Sequence, residues 1–157
     1  MTFPMHSRKL FHTGYAVGDV DKAMATLRDR FGVRDWKVVP LPPESGGRAL
    51  AFAYVGDLIV ELIDTVPGGV PIYSDWIPED DTTLRLHHLG HFVDDRAEFD
   101  AVAEHFAAIG VPMVIDDEVG DILYFRYFNT VALLGHYMEY VLMKPGGETF
   151  WADVPRN

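Results

Sequence analysis

A short pattern that occurs twice constrains this chain more than any other feature of its sequence. Residues 10–19 read LFHTGYAVGD and residues 86–95 read LHHLGHFVDD. At a single offset of 76 residues, four pairs align: His12 with His88, Gly14 with Gly90, Val17 with Val93, and Asp19 with Asp95. Because this offset is near half of the 157-residue length, we predict two copies of one folding unit.

The composition excludes several classes of function. Hydrophobic residues make up 48% of the chain and aromatic residues 13%, which is typical of a globular protein. A net charge of -11 argues against nucleic acid or an anionic membrane as a partner, because both bind basic surfaces. The absence of cysteine excludes disulfides, thiolate metal sites and cysteine nucleophiles. Residues 1–9 lack the apolar core of a signal peptide, and no apolar run approaches the ~20 residues of a membrane span. We therefore expect a cytoplasmic protein.

Hydrophobic periodicity predicts a β-α-β-β-β order in the first module, residues 10–65. The helix has a capping residue in Asp19 and a stop in Gly32, and residues 56–57 form a tight hairpin turn. The predicted strands are residues 10–17, 36–39, 48–55 and 58–65, and the predicted helix is residues 21–31.

The second module, residues 86–143, repeats this order. Its predicted strands are residues 86–93, 111–115, 122–128 and 136–143, and its helix is residues 96–109. The linker, residues 66–85, is rich in proline, glycine and aspartate, with a short helix expected near residues 74–77. A tail, residues 144–157, is expected to pack along the surface.

Each module also carries a glutamate on its closing strand. Glu61 and Glu139 lie 78 residues apart, each among apolar neighbours. A carboxylate inside an apolar strand is costly to bury unless it is paired, protonated or bound to a metal. Together with His12 and His88, the two glutamates form a candidate two-histidine, two-glutamate site for a divalent cation. Taken singly, a strand histidine is more often a core residue than a ligand; the repetition favours the site.

These motifs resemble the vicinal oxygen chelate superfamily, which includes glyoxalase I, methylmalonyl-CoA epimerase, extradiol dioxygenases and bleomycin resistance proteins. The resemblance rests on the His-x-Gly strands, the Asp-led helices, the β-α-β-β-β repeat and the closing-strand glutamates. It implies an α+β fold in which two tandem βαβββ modules form a curved, cup-shaped mixed sheet around a metal site. It also implies a homodimer and one divalent metal ion (Fe, Mn, Co, Ni, Zn or Mg), with the ligands His12, Glu61, His88 and Glu139.

The methylmalonyl-CoA epimerase-like subgroup is the most similar, although the chain departs from it. The epimerase often has an amide at the position of Glu61, and its catalytic glutamate on the third strand has no counterpart in residues 48–54. Residues 129–137 differ from the short hairpin that epimerases carry there. These departures, and a linker poor in basic residues, argue against a coenzyme A substrate.

Other polar and aromatic residues are assigned by strand alternation. His87 and His91 point away from His88 and either pack under helices or face solvent. His136 and Glu61 are the candidate catalytic acid/base groups. The aromatic strand residues either fill the core or line a cavity; the candidate substrate contacts are Tyr124, Arg126, Tyr137 and Trp76.

We predict an isomerase or epimerase that moves a proton next to a carbonyl group through a metal-stabilised enolate. The substrate would be a small or medium apolar carbonyl compound. One alternative is a non-haem iron dioxygenase acting on aromatic rings, against which Glu61 counts because a fourth protein ligand occupies an open position. Another is a metal-free small-molecule binding or resistance protein.

Overall fold

The computed structural model describes residues 9–157, so most of the N-terminal segment considered for a signal peptide lies outside the described residues. Within the described part, the chain divides into two compact units. One comprises His12–His87 with Asp153–Asn157, and the other comprises His88–Ala152 with residues 9–11. Among residues 9–157, no helix is long and apolar enough to cross a membrane.

The first βαβββ module has the strand order β2-β3-β4-β1. Strand β1 is parallel to β4, whereas β3 is antiparallel to both of its neighbours. The elements are β1 (Lys9–Val17), α1 (Val20–Phe31), β2 (Lys37–Pro40), β3 (Gly47–Val55) and β4 (Leu58–Thr65), followed by the linker helix α2 (Pro71–Ser74).

Helix α1 begins and ends where its sequence predicts. The side chain of Asp19 accepts a hydrogen bond from the backbone N–H of Lys22 at 3.0 Å, and Gly32 adopts φ 76°, a left-handed conformation that glycine tolerates at a helix end. Its inner face packs on one side of the sheet through Val20, Ala23, Met24 and Leu27, against Tyr15, Val17, Ala51 and Leu62.

The second module repeats the topology, with the strand order β5-β8-β7-β6 and β5 parallel to β8. Its elements are β5 (Arg85–Phe92), α3 (Arg96–Ala108), β6 (Met113–Val119), β7 (Leu123–Phe128), α4 (Val131–Leu134) and β8 (Tyr137–Met143). Helix α3 packs on the sheet through Phe99, Val102 and Phe106, and the Phe106 ring stacks on Phe128 at 4.2 Å. The predicted α+β class with two βαβββ modules is confirmed.

Three elements differ from the sequence expectation. Helix α2 begins at Pro71, three residues earlier than expected, because proline is well suited to a first helical turn. Helix α4 was not expected. Strand β6 was expected at residues 111–115 but runs to Val119, since its acidic residues meet cations: Asp116 accepts from Arg126 Nε at 3.0 Å and Glu118 from Lys144 Nζ at 2.6 Å.

The last residues of the chain contact β3 of the first unit. The N–H of Tyr54 donates to the carbonyl of Pro155 at 2.8 Å, and the N–H of Asn157 donates to the carbonyl of Tyr54 at 3.1 Å. The side-chain oxygen of Asn157 accepts from the N–H groups of Arg34 and Asp35. These bonds tie the chain end to the segment that follows α1.

Candidate metal centre

The first module places a histidine and a glutamate on the sheet face opposite α1. Gly14 pairs with Glu61 across β1 and β4, and His12 precedes Gly14 by two residues. Side chains two apart on a strand share a face, so His12 and Glu61 emerge on the same side. His12 Nε2 lies 3.3 Å from Glu61 Oε2, with exposed side-chain fractions of 5% and 13%. We call this pair the first half-site.

The second module builds an equivalent pair in the same register. Gly90 pairs with Glu139 across β5 and β8, as Gly14 pairs with Glu61. His88 Nε2 lies 3.4 Å from Glu139 Oε2, and the exposed side-chain fractions are 0% and 9%. This pair is the second half-site, and it lies on the face opposite α3.

The spacing within each half-site suits two neighbouring ligands of one ion. Ligand atoms about 2.1 Å from a metal, at right angles to one another, are about 3 Å apart, close to the distances seen here. Imidazole nitrogen and carboxylate oxygen are donors that borderline and hard divalent cations accept. A buried carboxylate also needs a compensating charge or proton. The donor set therefore fits a divalent cation.

The second half-site includes a hydroxyl group that sequence reasoning did not select. Tyr127 pairs with Glu139 across β7 and β8, and its Oη lies 3.3 Å from His88 Nδ1 and 3.4 Å from His88 Nε2. The corresponding pair in the first module is Phe52 with Glu61. In the sequence, strand alternation does not distinguish Tyr127 from the other aromatic residues on strands. Only the register between β7 and β8 shows that Tyr127 lies opposite Glu139.

The histidines that flank His88 face the other side of β5. The ring of His91 stacks on Tyr140 at 5.4 Å, on the side covered by α3. His87 is fully buried beneath the linker, with Nε2 2.8 Å from the carbonyl of Ile72 and its ring stacked on Tyr73. Both positions agree with the expected alternation.

Two candidate substrate contacts lie on the helix side of β7, away from His88. Arg126 Nη1 donates to the carbonyl of Phe99 at 2.9 Å and to Asp100 at 3.1 Å, and its guanidinium lies over the Phe99 ring. Tyr124 is two residues earlier on the same face and lines an open cavity of about 610 Å³ with Arg96 and Lys144. The structure does not bring either residue to the second half-site.

The remaining candidates are distributed around the two modules. Tyr137 shares the strand face of Glu139, and its ring meets that of Tyr127 edge-on at 6.4 Å. His136 is half-buried just before β8, where Nδ1 lies 2.8 Å from the carbonyl of Tyr137. Trp76 belongs to the linker, and its Nε1–H donates to the carbonyl of Leu86 at 2.7 Å. Of these three, Tyr137 lies on the half-site face.

The match to a known family covers most of the chain. The sequence model of the glyoxalase/bleomycin resistance protein/dioxygenase superfamily matches residues 11–124. The chain belongs to this superfamily. The matched region includes both half-site histidines and Glu61, so the predicted superfamily is confirmed. No curated protein sequence matches the chain significantly.

Solved structures with the same fold include methylmalonyl-CoA epimerases. A variant of the Streptomyces coelicolor enzyme in complex with 2-nitronate-propionyl-CoA is 18% identical, covers 86% of this chain and 94% of its own, and has a TM-score of 0.63. The Mycobacterium tuberculosis epimerase is 19% identical over 94% of this chain and 97% of its own, with a TM-score of 0.64. A hypothetical protein from Bacillus halodurans C-125 is 20% identical over 88% and 96%, with a TM-score of 0.65. At these identities the likeness concerns the fold alone.

Proposed function

We propose that this superfamily member is a metal-dependent isomerase or epimerase that moves a proton next to a carbonyl group. The observation that carries the proposal is the repeated half-site: a buried imidazole nitrogen and a carboxylate oxygen, 3.3 Å apart in one module and 3.4 Å apart in the other. Two copies of a ligand pair at matched register are better explained by one shared function than by two coincident core contacts.

The residues that would hold the ion are His12, Glu61, His88 and Glu139. A bound divalent cation polarises a substrate carbonyl and stabilises the negative charge that develops when the neighbouring C–H loses its proton.

The proton itself needs a base among the side chains of this chain. Glu61 is our first candidate, because a carboxylate beside the reacting carbon can take its proton and, in an isomerase, return it to the neighbouring carbon; an epimerase needs an acid on the opposite face as well. His136 is the second candidate. Its Nδ1 lies 2.8 Å from the carbonyl of Tyr137. A carbonyl oxygen only accepts hydrogen bonds, so Nδ1 carries a proton in this contact, and Nε2 would be the atom that exchanges a proton with the substrate.

The substrate class follows from the chemistry, and solved relatives suggest the first compound to test. Methylmalonyl-CoA epimerase structures hold 2-nitronate-propionyl-CoA or methylmalonyl-CoA. The sequence of this chain argues for a small or medium apolar carbonyl compound. Methylmalonyl-CoA should therefore be compared with carbonyl compounds that lack the nucleotide.

The experiment is a metal titration of the purified chain, followed by proton exchange in deuterated water. We expect one divalent ion per chain, complete loss of binding in either His12→Ala or His88→Ala, and metal-dependent deuterium incorporation next to the carbonyl. A matched control is His105→Ala, a histidine on α3 that contacts the Phe106 ring.

Other outcomes would favour the alternatives. Two ions per chain, with each variant losing one, would mean that the half-sites act separately. Oxygen uptake with catechols and bound iron would indicate a dioxygenase. A chain that binds no divalent ion on titration would contradict the enzyme proposal and favour a binding protein.

A further inference from the structure

We propose that Tyr127 is a positioning residue that controls the tautomer of His88, with its hydroxyl changing from hydrogen-bond donor to acceptor when a divalent cation binds. This inference rests on the proposed metal role of His88. It assigns the Tyr127 hydroxyl as the hydrogen-bond partner of His88 Nδ1, the ring nitrogen that does not face the Glu139 carboxylate.

The contact is buried on both sides. Tyr127 is 3% exposed and His88 is fully buried, so bulk water does not reach the pair. Tyr127 Oη lies 3.3 Å from Nδ1 and 3.4 Å from Nε2 of His88, and the two rings meet edge-on with centroids 5.0 Å apart. Buried polar groups of this kind are almost always hydrogen-bonded, because burial removes the water that would otherwise satisfy them.

The Tyr127 hydroxyl is almost equidistant from the two nitrogens of His88, so its assignment to Nδ1 rests on the role of Nε2. Nε2 is the atom nearest Glu139 Oε2, at 3.4 Å, so it is the nitrogen on the ligand side of the half-site. A single hydroxyl directs its hydrogen at one nitrogen at a time, which leaves Nδ1 as the partner of Tyr127.

A hydroxyl can serve both tautomers of His88, since it is donor and acceptor in one group. Without a cation, the proposal places the ring proton on Nε2, the nitrogen that faces Glu139, and the Tyr127 hydroxyl donates to the lone pair of Nδ1. With a cation, Nε2 must present its lone pair, so the ring proton resides on Nδ1 and is donated to Tyr127 Oη. Such outer contacts orient the ring of a metal-binding histidine.

The first module shows that the fold does not require this hydroxyl. Phe52 lies opposite Glu61 as Tyr127 lies opposite Glu139, and Phe52 is also buried. A phenyl ring therefore fills this position in a βαβββ module, and the phenol oxygen is an addition particular to the second half-site. The two histidines are consequently not equivalent.

Nitrogen NMR of the full chain labelled with ¹⁵N-histidine tests the proposal, with Zn²⁺ as a diamagnetic probe. We expect the wild-type His88 to carry its proton on Nε2 without zinc, and on Nδ1 with zinc bound to Nε2. In Tyr127→Phe, zinc affinity should fall by about 10–100-fold, with the unfolding midpoint of the zinc-free chain unchanged. Tyr15→Phe is the control, because it removes a phenol oxygen from the face of β1 that packs on α1.

Zinc on Nδ1 of His88, or a Tyr127→Phe chain with wild-type affinity, would overturn the proposal. If the wild type binds no zinc, the proposed function fails. The spectrum recorded without zinc then still tests the hydrogen bond between Tyr127 and His88. A change of the Nδ1 signal in Tyr127→Phe, absent in Tyr15→Phe, would support the hydrogen bond, and an unchanged signal would disprove it.

Discussion

His87 and His88 are neighbours in sequence with opposite surroundings. The His88 ring faces Glu139 and Tyr127, whereas the His87 ring is enclosed by the linker residues Ile72, Tyr73 and Trp76. Strand alternation produces this division, since adjacent side chains leave a strand on opposite faces. In the proposal, the His88 imidazole binds the ion, whereas the His87 imidazole packs under the linker.

Alanine substitutions of these two residues should therefore separate metal binding from stability. His88→Ala should abolish metal binding and leave the fold intact, because a proposed ligand is lost. His87→Ala should keep the metal and lower the free energy of unfolding by about 2–4 kcal/mol, through a cavity and a lost hydrogen bond. Metal analysis and urea unfolding of both variants measure the two effects. Loss of metal in His87→Ala alone would mean that the strand register is shifted by one residue.

At the scale of the elements, α1 and α3 each begin at an aspartate that the repeat predicts. Asp19 accepts from the N–H of Lys22 at 3.0 Å, and Asp95 accepts from the N–H of Glu98 at 2.8 Å. The hydrogen bond from the Lys22 backbone N–H holds the pKa of Asp19 below its ordinary value. These caps fix where α1 and α3 start relative to β1 and β5, the strands before them. Each helix therefore packs on one face of its strand, and the histidine of the half-site lies on the other face.

Removing the cap of α1 should give a pH-dependent loss of stability. Asp19→Ala should lower the free energy of unfolding by about 1 kcal/mol near neutral pH. Because the folded pKa is depressed, the part of the wild-type advantage that comes from the carboxylate charge is present above the unfolded value near 4 and is lost as pH falls through the folded value. Urea unfolding across this pH range measures the difference in unfolding free energy between wild type and Asp19→Ala. Asp19→Asn is the control, because it keeps the cap. A difference between wild type and Asp19→Ala that did not change with pH would contradict this account.

Much of the element order was predictable, and the exceptions have physical causes. Periodicity and caps identify α1, α3 and most strands, because these signals are local. The length of β6 depends on Arg126 and Lys144, which are distant in sequence from the acidic residues they meet. The same Arg126 was a candidate substrate contact, but Asp100, Asp116 and the carbonyl of Phe99 hold it on the helix side.

At the scale of the whole molecule, the proposal joins two half-sites that are far apart in the sequence through one ion. A ligand that binds only the folded chain stabilises it, by about 3 kcal/mol at a hundredfold excess over its dissociation constant. The contribution of the metal to stability can therefore be measured without knowing the substrate.

Removal of the metal with a chelator should lower the melting temperature. For a chain of this size, about 3 kcal/mol corresponds to a fall of roughly 5–10 °C, reversed when the ion is returned. The melting temperature of the Glu139→Gln variant, which lacks one proposed ligand, should not change when the chelator is added or the ion is returned. The melting temperature of His105→Ala should change as that of the wild type does. Equal melting temperatures of the chelated and metal-loaded wild type would rule out a metal that supports the fold.

The sequence by itself determined the repeat, the order of the strands with α1 and α3, and the face of β5 on which His87, His88 and His91 lie, because strand and helix periods are local properties. Only the tertiary structure decided that Glu61 and Glu139 pair with the glycines beyond His12 and His88 and come within 3.3–3.4 Å of the imidazoles. It also decided that Tyr127 meets His88 while Arg126 does not. These outcomes depend on the register between distant strands and on competing long-range ion pairs, neither of which leaves a periodic trace in the sequence.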